Sequence, residues 1–293
     1  MTPATLLSRC AFPPAGTGVV CAVSGGADSL ALLALAVEAG CVVTAVHVDH
    51  GARPSEAEAG VVAAAAERFG AGFDRRRVQV DPGTGNLEER WRDARRAALP
   101  PGALTGHTAD DLAETVLLNL TRGAGLDGLA GIRPGSTKPI LALRRAETRA
   151  LCRELGLEAV HDPTNDDPAF RRNRIRHEAL PLLDAIAERD VASVLARQAR
   201  LLREDADLLD ALAAGLDPTD ARRLAEAPAP LARRVVRRWL GDGRHPPDAA
   251  TVERVLAVAR GETKACELPG GDRVERSRMR LRRVGPGSVE PDG

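Results

Sequence analysis

The sequence predicts an α/β fold: a doubly wound, mostly parallel sheet followed by a smaller, mainly helical domain. Three observations lead there. Short apolar runs alternate with helical patterns through the first half. One run, residues 19–23, breaks into Ser24-Gly25-Gly26-Ala27-Asp28-Ser29 and passes at once into an apolar helical run, residues 30–37. Beyond about residue 180 helical periodicity dominates. The expected domains are therefore 1–180 and 181–293.

The elements follow in order. Residues 19–23 form the first strand and the apolar run after the glycine turn the first long helix. Residues 41–48 read as a buried strand. Ser55 and Glu58 stand at capping-box spacing and open a helix to about Phe69. A third strand is expected at 77–80, a helix at 86–99, a short strand at 103–105 and a helix at 109–120. A fifth strand is expected at 139–143, before a helix at 145–155. In the second half, Val194, Leu201 and Leu208 repeat every seven residues, as do Leu195, Leu202 and Leu209, within one helical pattern over 190–216. Further helices are expected at 231–240 and 249–259. A hairpin closes the pattern over 265–284, around Pro269-Gly270-Gly271-Asp272.

Composition narrows the class. An apolar fraction of 44% and a charged fraction of 28% suit a globular protein. No apolar run approaches the roughly 20 residues of a membrane span, and residues 1–10 lack a secretory pattern. Five scattered cysteines form no C-x-x-C, so reduced thiols and a cytoplasmic location are expected. Net charge is zero but uneven: residues 1–170 carry 17 basic and 21 acidic side chains, residues 171–293 carry 24 and 20. A basic second half suits a nucleic-acid partner, although arginine richness also follows from composition alone.

Strand, glycine turn and helix aim backbone N–H groups and a helix N-terminus at an anion. The glycines admit positive φ and close approach of a phosphate, and Ser24 and Ser29 add hydroxyls. Asp28 would repel a bare phosphate, so a metal-bridged polyphosphate fits better. The order is not a Walker A loop, which needs a lysine. In the segment from Gly106 through His107, Asp110 and Asp111 to Glu114, three carboxylates share the first turns of one helix. Dipole compensation with Thr108 as cap accounts for one or two of them; a cluster for magnesium or for an amine accounts for all three. His47-Val48-Asp49-His50-Gly51 has awkward spacing for zinc. Residues 122–128 match G-x-G-x-x-G but follow a helix, so a dinucleotide site is excluded. Arg171, Arg172, Arg174 and Arg176 flank Asn173 and suit phosphate or base contacts.

The Ser24–Ser29 loop resembles that of N-type ATP pyrophosphatases, the PP-loop family with an adenine nucleotide alpha hydrolase-like fold. The other motifs, His47 to Gly51, Asn86-Leu87-Glu88 with Arg95-Arg96, Gly106 to Thr115, Arg122 to Gly131 and His161 to Arg176, occur in the order seen in tRNA(Ile)-lysidine synthetases. The resemblance spans residues 18–183. Two departures are Trp91, where a smaller or basic residue is expected, and an apparently missing extra C-terminal domain.

The resemblance implies ATP-dependent ligation of free L-lysine to cytidine 34 of a CAU-anticodon tRNA(Ile), with ATP and Mg2+ required and AMP and pyrophosphate released. It implies ATP binding by Ser24, Gly25, Gly26, Ala27, Asp28 and Ser29, with Asp28 on magnesium. It implies a lysine site from Asp110, Asp111 and Glu114, proton transfer by His107 or one of these acids, and tRNA or phosphate contacts from Arg122, Arg172, Asn173 and Arg176. A homodimer is left open, and no membrane is involved. The rivals are a tRNA thiolase, an amide-forming synthetase and a nucleotide-binding regulator without turnover.

Overall fold

A computed structural model describes residues 2–49, 56–78, 87–241 and 247–285. The chain divides into two compact units, Met1–Arg203 and Glu204–Gly293. In the first, α1 (Pro3–Leu7) precedes β1 (Gly18–Ala22), α2 (Ala27–Glu38), β2 (Val42–Asp49), α3 (Glu56–Arg68) and β3 (Gly72–Arg77). Next come α4 (Leu87–Ala98), β4 (Leu104–Thr105), α5 (Ala109–Thr121), α6 (Leu126–Leu129) and α7 (Arg145–Glu154). A 3-10 turn (Pro163–Asn165) and α8 (Arg171–Arg174) lead through a π-helical turn (Ile175–Ala179) into α9 (Leu180–Ala187) and α10 (Val191–Ala213).

The sheet is parallel, in the order β3-β2-β1-β4. Every residue of α2 from Ser29 to Ala36 is buried, as expected for a helix that is apolar all round. It packs against β1, β2, α1 and α7. Leu30, Leu32, Leu33 and Leu35 join Cys21, Val43, Ile140, Leu143 and Leu151 in the main core. Parallel strands place their carboxyl ends, and so Ser24, Asp49 and Gly106, along one rim.

Two expectations need correction. The third strand runs over Gly72–Arg77, not 77–80. It is a sheet edge, and its arginine-rich, half-exposed sequence hides the strand pattern. The fifth strand, expected at 139–143, is a series of turns: Leu141 N–H donates to Lys138 and Leu143 N–H to Ile140. Ile140 and Leu143 are buried there all the same, so an apolar run marked burial and not a strand. The segment just after residue 180 packs on the first unit. Ile175, Leu180 and Ala192 pack on Ala113, and Ala199 joins Leu112, Val116 and Leu141. Ser55, Asn86, His50 and Gly51 lie outside the described residues, as do the side chains of Leu87, Glu88, Trp91 and Arg95.

The second unit contains α11 (Ala221–Glu226), α12 (Ala229–Leu240), α13 (Ala249–Arg260) and a sheet of β5 (Ala265–Glu267), β6 (Arg273–Ser277) and β7 (Arg280–Val284). The expected hairpin is a three-stranded antiparallel meander. Its second turn carries Arg278 and Met279 at φ +46° and +62°, with no glycine or asparagine to signal it. Val274 and Leu281 cover a core made by Val235, Val236, Val252, Val255 and Leu256.

Candidate active site

The loop between β1 and α2 is braced from several sides. Val23 N–H donates to Val46, and the buried His47 ring places Nδ1 3.0 Å from the Val23 carbonyl. Gly25 takes φ +89°, and its carbonyl accepts from Val160 N–H at 3.0 Å. Ser29 hydroxyl accepts from Ser24 N–H and donates to the Gly26 carbonyl. Ser29 thus shapes the loop from within, while Ser24 is exposed. Gly26 caps α2, leaving the first N–H groups of the helix without intrahelical acceptors.

Gly106 brings the next motif onto this loop. A Cβ there would lie 2.8 Å from the Asp28 carbonyl oxygen and 3.1 Å from Ser29 N, so only glycine permits the approach. His107 follows, half-buried, with Nδ1 2.8 Å from Thr105 Oγ1. Thr108 caps α5, and Asp111 completes a capping box by accepting from Thr108 N–H. One Asp111 oxygen therefore caps the helix, while the other faces Arg145 at 3.1 Å and Arg172 at 3.2 Å. Capping and arginine pairing thus divide the two oxygens of this acid.

Glu114 is fully buried. It accepts from Arg145 at 2.9 Å, Arg172 at 2.7 Å and Arg176 at 2.7 Å. Burial raises its carboxyl, but the Arg176 hydrogen bond and the three guanidinium charges outweigh that and bring it down to about 2. Asp110 accepts from the Arg144 side chain and from Arg145 N–H, fastening the start of α7. Burial works against its charge, yet these bonds hold it below the usual range. Asp28 goes the other way. Burial raises it more than the Thr148 hydroxyl and Arg145 lower it, and the charge of Asp111 adds to the rise. Opposed shifts within one cluster make it a candidate functional site.

The remaining expected residues divide. Arg172 and Arg176 join the acid cluster through Glu114. Asn173 is buried, and its amide donates to the carbonyls of Thr164 and Asp167, holding the segment after α7. Arg122 ends α5 and is exposed, eight residues or about 12 Å of helix beyond Glu114. Sequence reasoning missed Arg145 and Thr148. Arg145 reaches Asp28, Asp111 and Glu114 at once, and Thr148 donates to Asp28. Their only signal was spacing: residues 145, 148 and 152 share one face of α7.

For magnesium, the donor set is the test. Among the described residues no cluster of three or more histidine, cysteine or acidic side chains forms a metal cage. Asp28 offers one carboxylate beside a phosphate loop. That fits an ion which completes its shell with phosphate oxygens and water.

A family model described as a PP-loop domain matches residues 6–183, and one described as a TilS substrate binding domain matches residues 220–282. A tRNA(Ile)-lysidine synthase of Nocardia farcinica is 47% identical, over 79% of this chain and 78% of its own. The chain belongs to the tRNA(Ile)-lysidine synthase family. The family member from Thermobifida fusca is 41% identical over 90% of both chains. Among solved structures, a U34-tRNA thiolase from Methanococcus maripaludis matches with a TM-score of 0.55 at 18% identity, over 69% of this chain and 77% of that one; this likeness shows the shared fold. Membership of the lysidine synthase family accounts for the order of the two units, a PP-loop ATP-using domain and then a small substrate-binding one. No helix among the described residues is long and apolar enough to cross a membrane.

Proposed function

We propose that this chain makes lysidine, joining free L-lysine to C2 of cytidine 34 in the CAU anticodon of tRNA(Ile) through an O2-adenylated cytidine, with release of AMP and pyrophosphate. The observation that carries the reading is the seat of Gly106 on the first turn of α2, which brings phosphate loop and acidic helix to one rim. The chemistry needs that closeness, because one bridging oxygen separates the α-phosphorus from C2 in the intermediate.

In the first half-reaction cytosine O2 attacks the α-phosphorus and pyrophosphate leaves. Loop residues Ser24, Gly25, Gly26, Ala27 and Ser29 cradle the departing phosphates with backbone N–H groups and the α2 dipole. Asp28 holds Mg2+, which when bound neutralises phosphate charge. In the second half-reaction the lysine ε-amine attacks C2, the C2–O2 bond breaks, and AMP leaves with that oxygen. The ammonium must first lose a proton. Glu114, held to about 2, is too weak a base near neutrality, so we assign the proton to His107. Asp111 faces the lysine cation. Asp110 and Glu114 stand behind it as counter-charges that fix Arg144, Arg145, Arg172 and Arg176. The Arg172 and Arg176 forks suit the lysine carboxylate or an anticodon phosphate. Arg122 suits RNA beyond the rim, and Asn173 supports the segment that presents the arginines. A cytoplasmic location fits the reading, and sedimentation of the purified chain decides between monomer and homodimer.

Sulfur transfer is not favoured. Cys21, Cys41 and Cys152 are buried, and burial pushes the Cys21 thiol up to about 12 and Cys152 to about 11. The test is AMP release from ATP with magnesium, lysine and the CAU-anticodon tRNA(Ile), omitting each in turn. Full turnover should need all of them, with labelled lysine recovered in RNA. AMP formation without tRNA, or with ammonia or a sulfur donor in place of lysine, would overturn the assignment.

A further inference from the structure

The face of α7 that carries Arg145, Thr148 and Cys152 meets the first turn of α2 at three successive points. Cys152 Sγ donates to the Ala27 carbonyl at 3.3 Å. Thr148 is fully buried, and its hydroxyl lies within hydrogen-bond reach of Asp28 Oδ1 and of the Arg145 carbonyl, 2.9 Å away. A hydroxyl has one proton, and a carboxylate is the stronger acceptor, so the bond goes to Asp28. Arg145 Nε lies 3.3 Å from the other Asp28 oxygen, while its terminal nitrogens hold Glu114 and Asp111.

A carboxylate on the first turn of a helix has rotamer freedom of its own. Here two donors from another helix, one on each oxygen, fix the plane of the group. The guanidinium that fixes one oxygen also grips the two acids of α5. Its fork geometry serves three carboxylates in a way a lysine ammonium does not.

We propose that Arg145 and Thr148 are positioning residues: Thr148 sets the Asp28 carboxylate for the metal-bound nucleotide, and Arg145 ties that setting to the Asp111–Glu114 pair. The proposal rests on the assignment of Asp28 to the magnesium–nucleotide. Thr148 would act on nucleotide binding alone, whereas Arg145 would act on both half-sites.

The binding measurement uses the full chain without tRNA, so no turnover occurs, and the Arg145 arm adds the full reaction. ATP binding is measured by equilibrium dialysis at stepped magnesium concentrations for wild type, Thr148→Val, Thr148→Ser, Arg145→Lys and Asp28→Ala, with thermal unfolding of each as the folding control. Thr148→Val, near-isosteric but without the donor, should weaken magnesium-dependent ATP binding about 10-fold. Thr148→Ser should restore it to within about 2-fold. In an Asp28→Ala background Thr148→Val should cost nothing further, an outcome a merely structural role would not give. Arg145→Lys should raise the KM for ATP and for lysine together in the full reaction. If Thr148→Val does not fold, Thr148→Ala carries the same comparison. Wild-type magnesium dependence in the Thr148 variants, with that of Asp28→Ala lost, would overturn the proposal and leave the Asp28 assignment standing. Unchanged magnesium dependence in Asp28→Ala would overturn the assignment itself and the proposal with it.

Discussion

Gly106 and Asp28, on different elements of the sheet's rim, touch backbone to backbone: a Cβ on Gly106 would meet the Asp28 carbonyl carbon at 2.9 Å. Carbonyl and amide groups within the fold cannot swing aside as a side-chain end can. Gly106→Ala should therefore push the β4–α5 connection off α2, at a stability cost of about 1–3 kcal/mol. The larger effect should fall on AMP formation, with at least a roughly 10-fold loss, since small misplacements of reacting groups are amplified in rate. Chemical denaturation and single-turnover AMP release measure the two.

Asp28→Ala should abolish AMP formation while leaving tRNA binding nearly intact. Filter binding of labelled tRNA beside an AMP assay reads both. Turnover like that of wild type would remove Asp28 from the metal assignment.

Glu114 is the fully buried counter-charge of three arginines. Glu114→Ala should destabilise the protein by roughly 3–5 kcal/mol, because guanidinium groups in the interior lose their partner. The sign of the pH effect follows from a folded-state value lowered from 4.5 to about 2. The unfolded chain takes up the proton first on acidification. The Glu114 contribution is therefore complete above about pH 5 and is lost as pH falls towards about 2. The stability difference between wild type and Glu114→Gln, measured across that window, should shrink steadily with acidification.

His107 is assigned to the second half-reaction. His107→Ala should slow lysine transfer by about 100-fold or more while cytidine adenylation continues. Adenylated RNA should accumulate and be trapped by acid quench after labelling from ATP. Equal slowing of pyrophosphate release would move His107 to the first step.

What could be read from the sequence was local. The phosphate loop announces itself because strand, glycines and helix are contiguous, and α2 does so because a helix buried on all sides is apolar on all sides. Asp110, Asp111 and Glu114 are legible as a cluster because they lie on adjacent turns. Arg145 and Thr148 are not: their contacts with Asp28 span 117 and 120 residues, and nothing near them in the chain requires an acid. The same limit explains Asn173. Its neighbouring arginines suggest a phosphate site, while its own amide fastens carbonyls that only the fold brings near. The 139–143 run shows the converse error, since burial of Ile140 and Leu143 demands apolar side chains whatever the backbone does. The Arg278–Met279 turn had no sequence signature at all, and tertiary pairing of β6 with β7 overrides the local preference there.

The guanidinium of Arg145 joins positions 28, 111 and 114, and through Glu114 positions 172 and 176, with one small group of atoms. In the unfolded chain position 28, the 111–114 pair, position 145 and the 172–176 pair are separated by long stretches of random coil, so the gathering of charge exists only once these parts of the first unit have folded together. Mass action then links occupancy to survival: a ligand present at 100 times its Kd adds about 2.7 kcal/mol to the folding free energy of everything that must be in place to hold it. A cell rich in ATP would thus protect residues far from the pocket against proteases, and starvation would withdraw that protection without a single contact being edited.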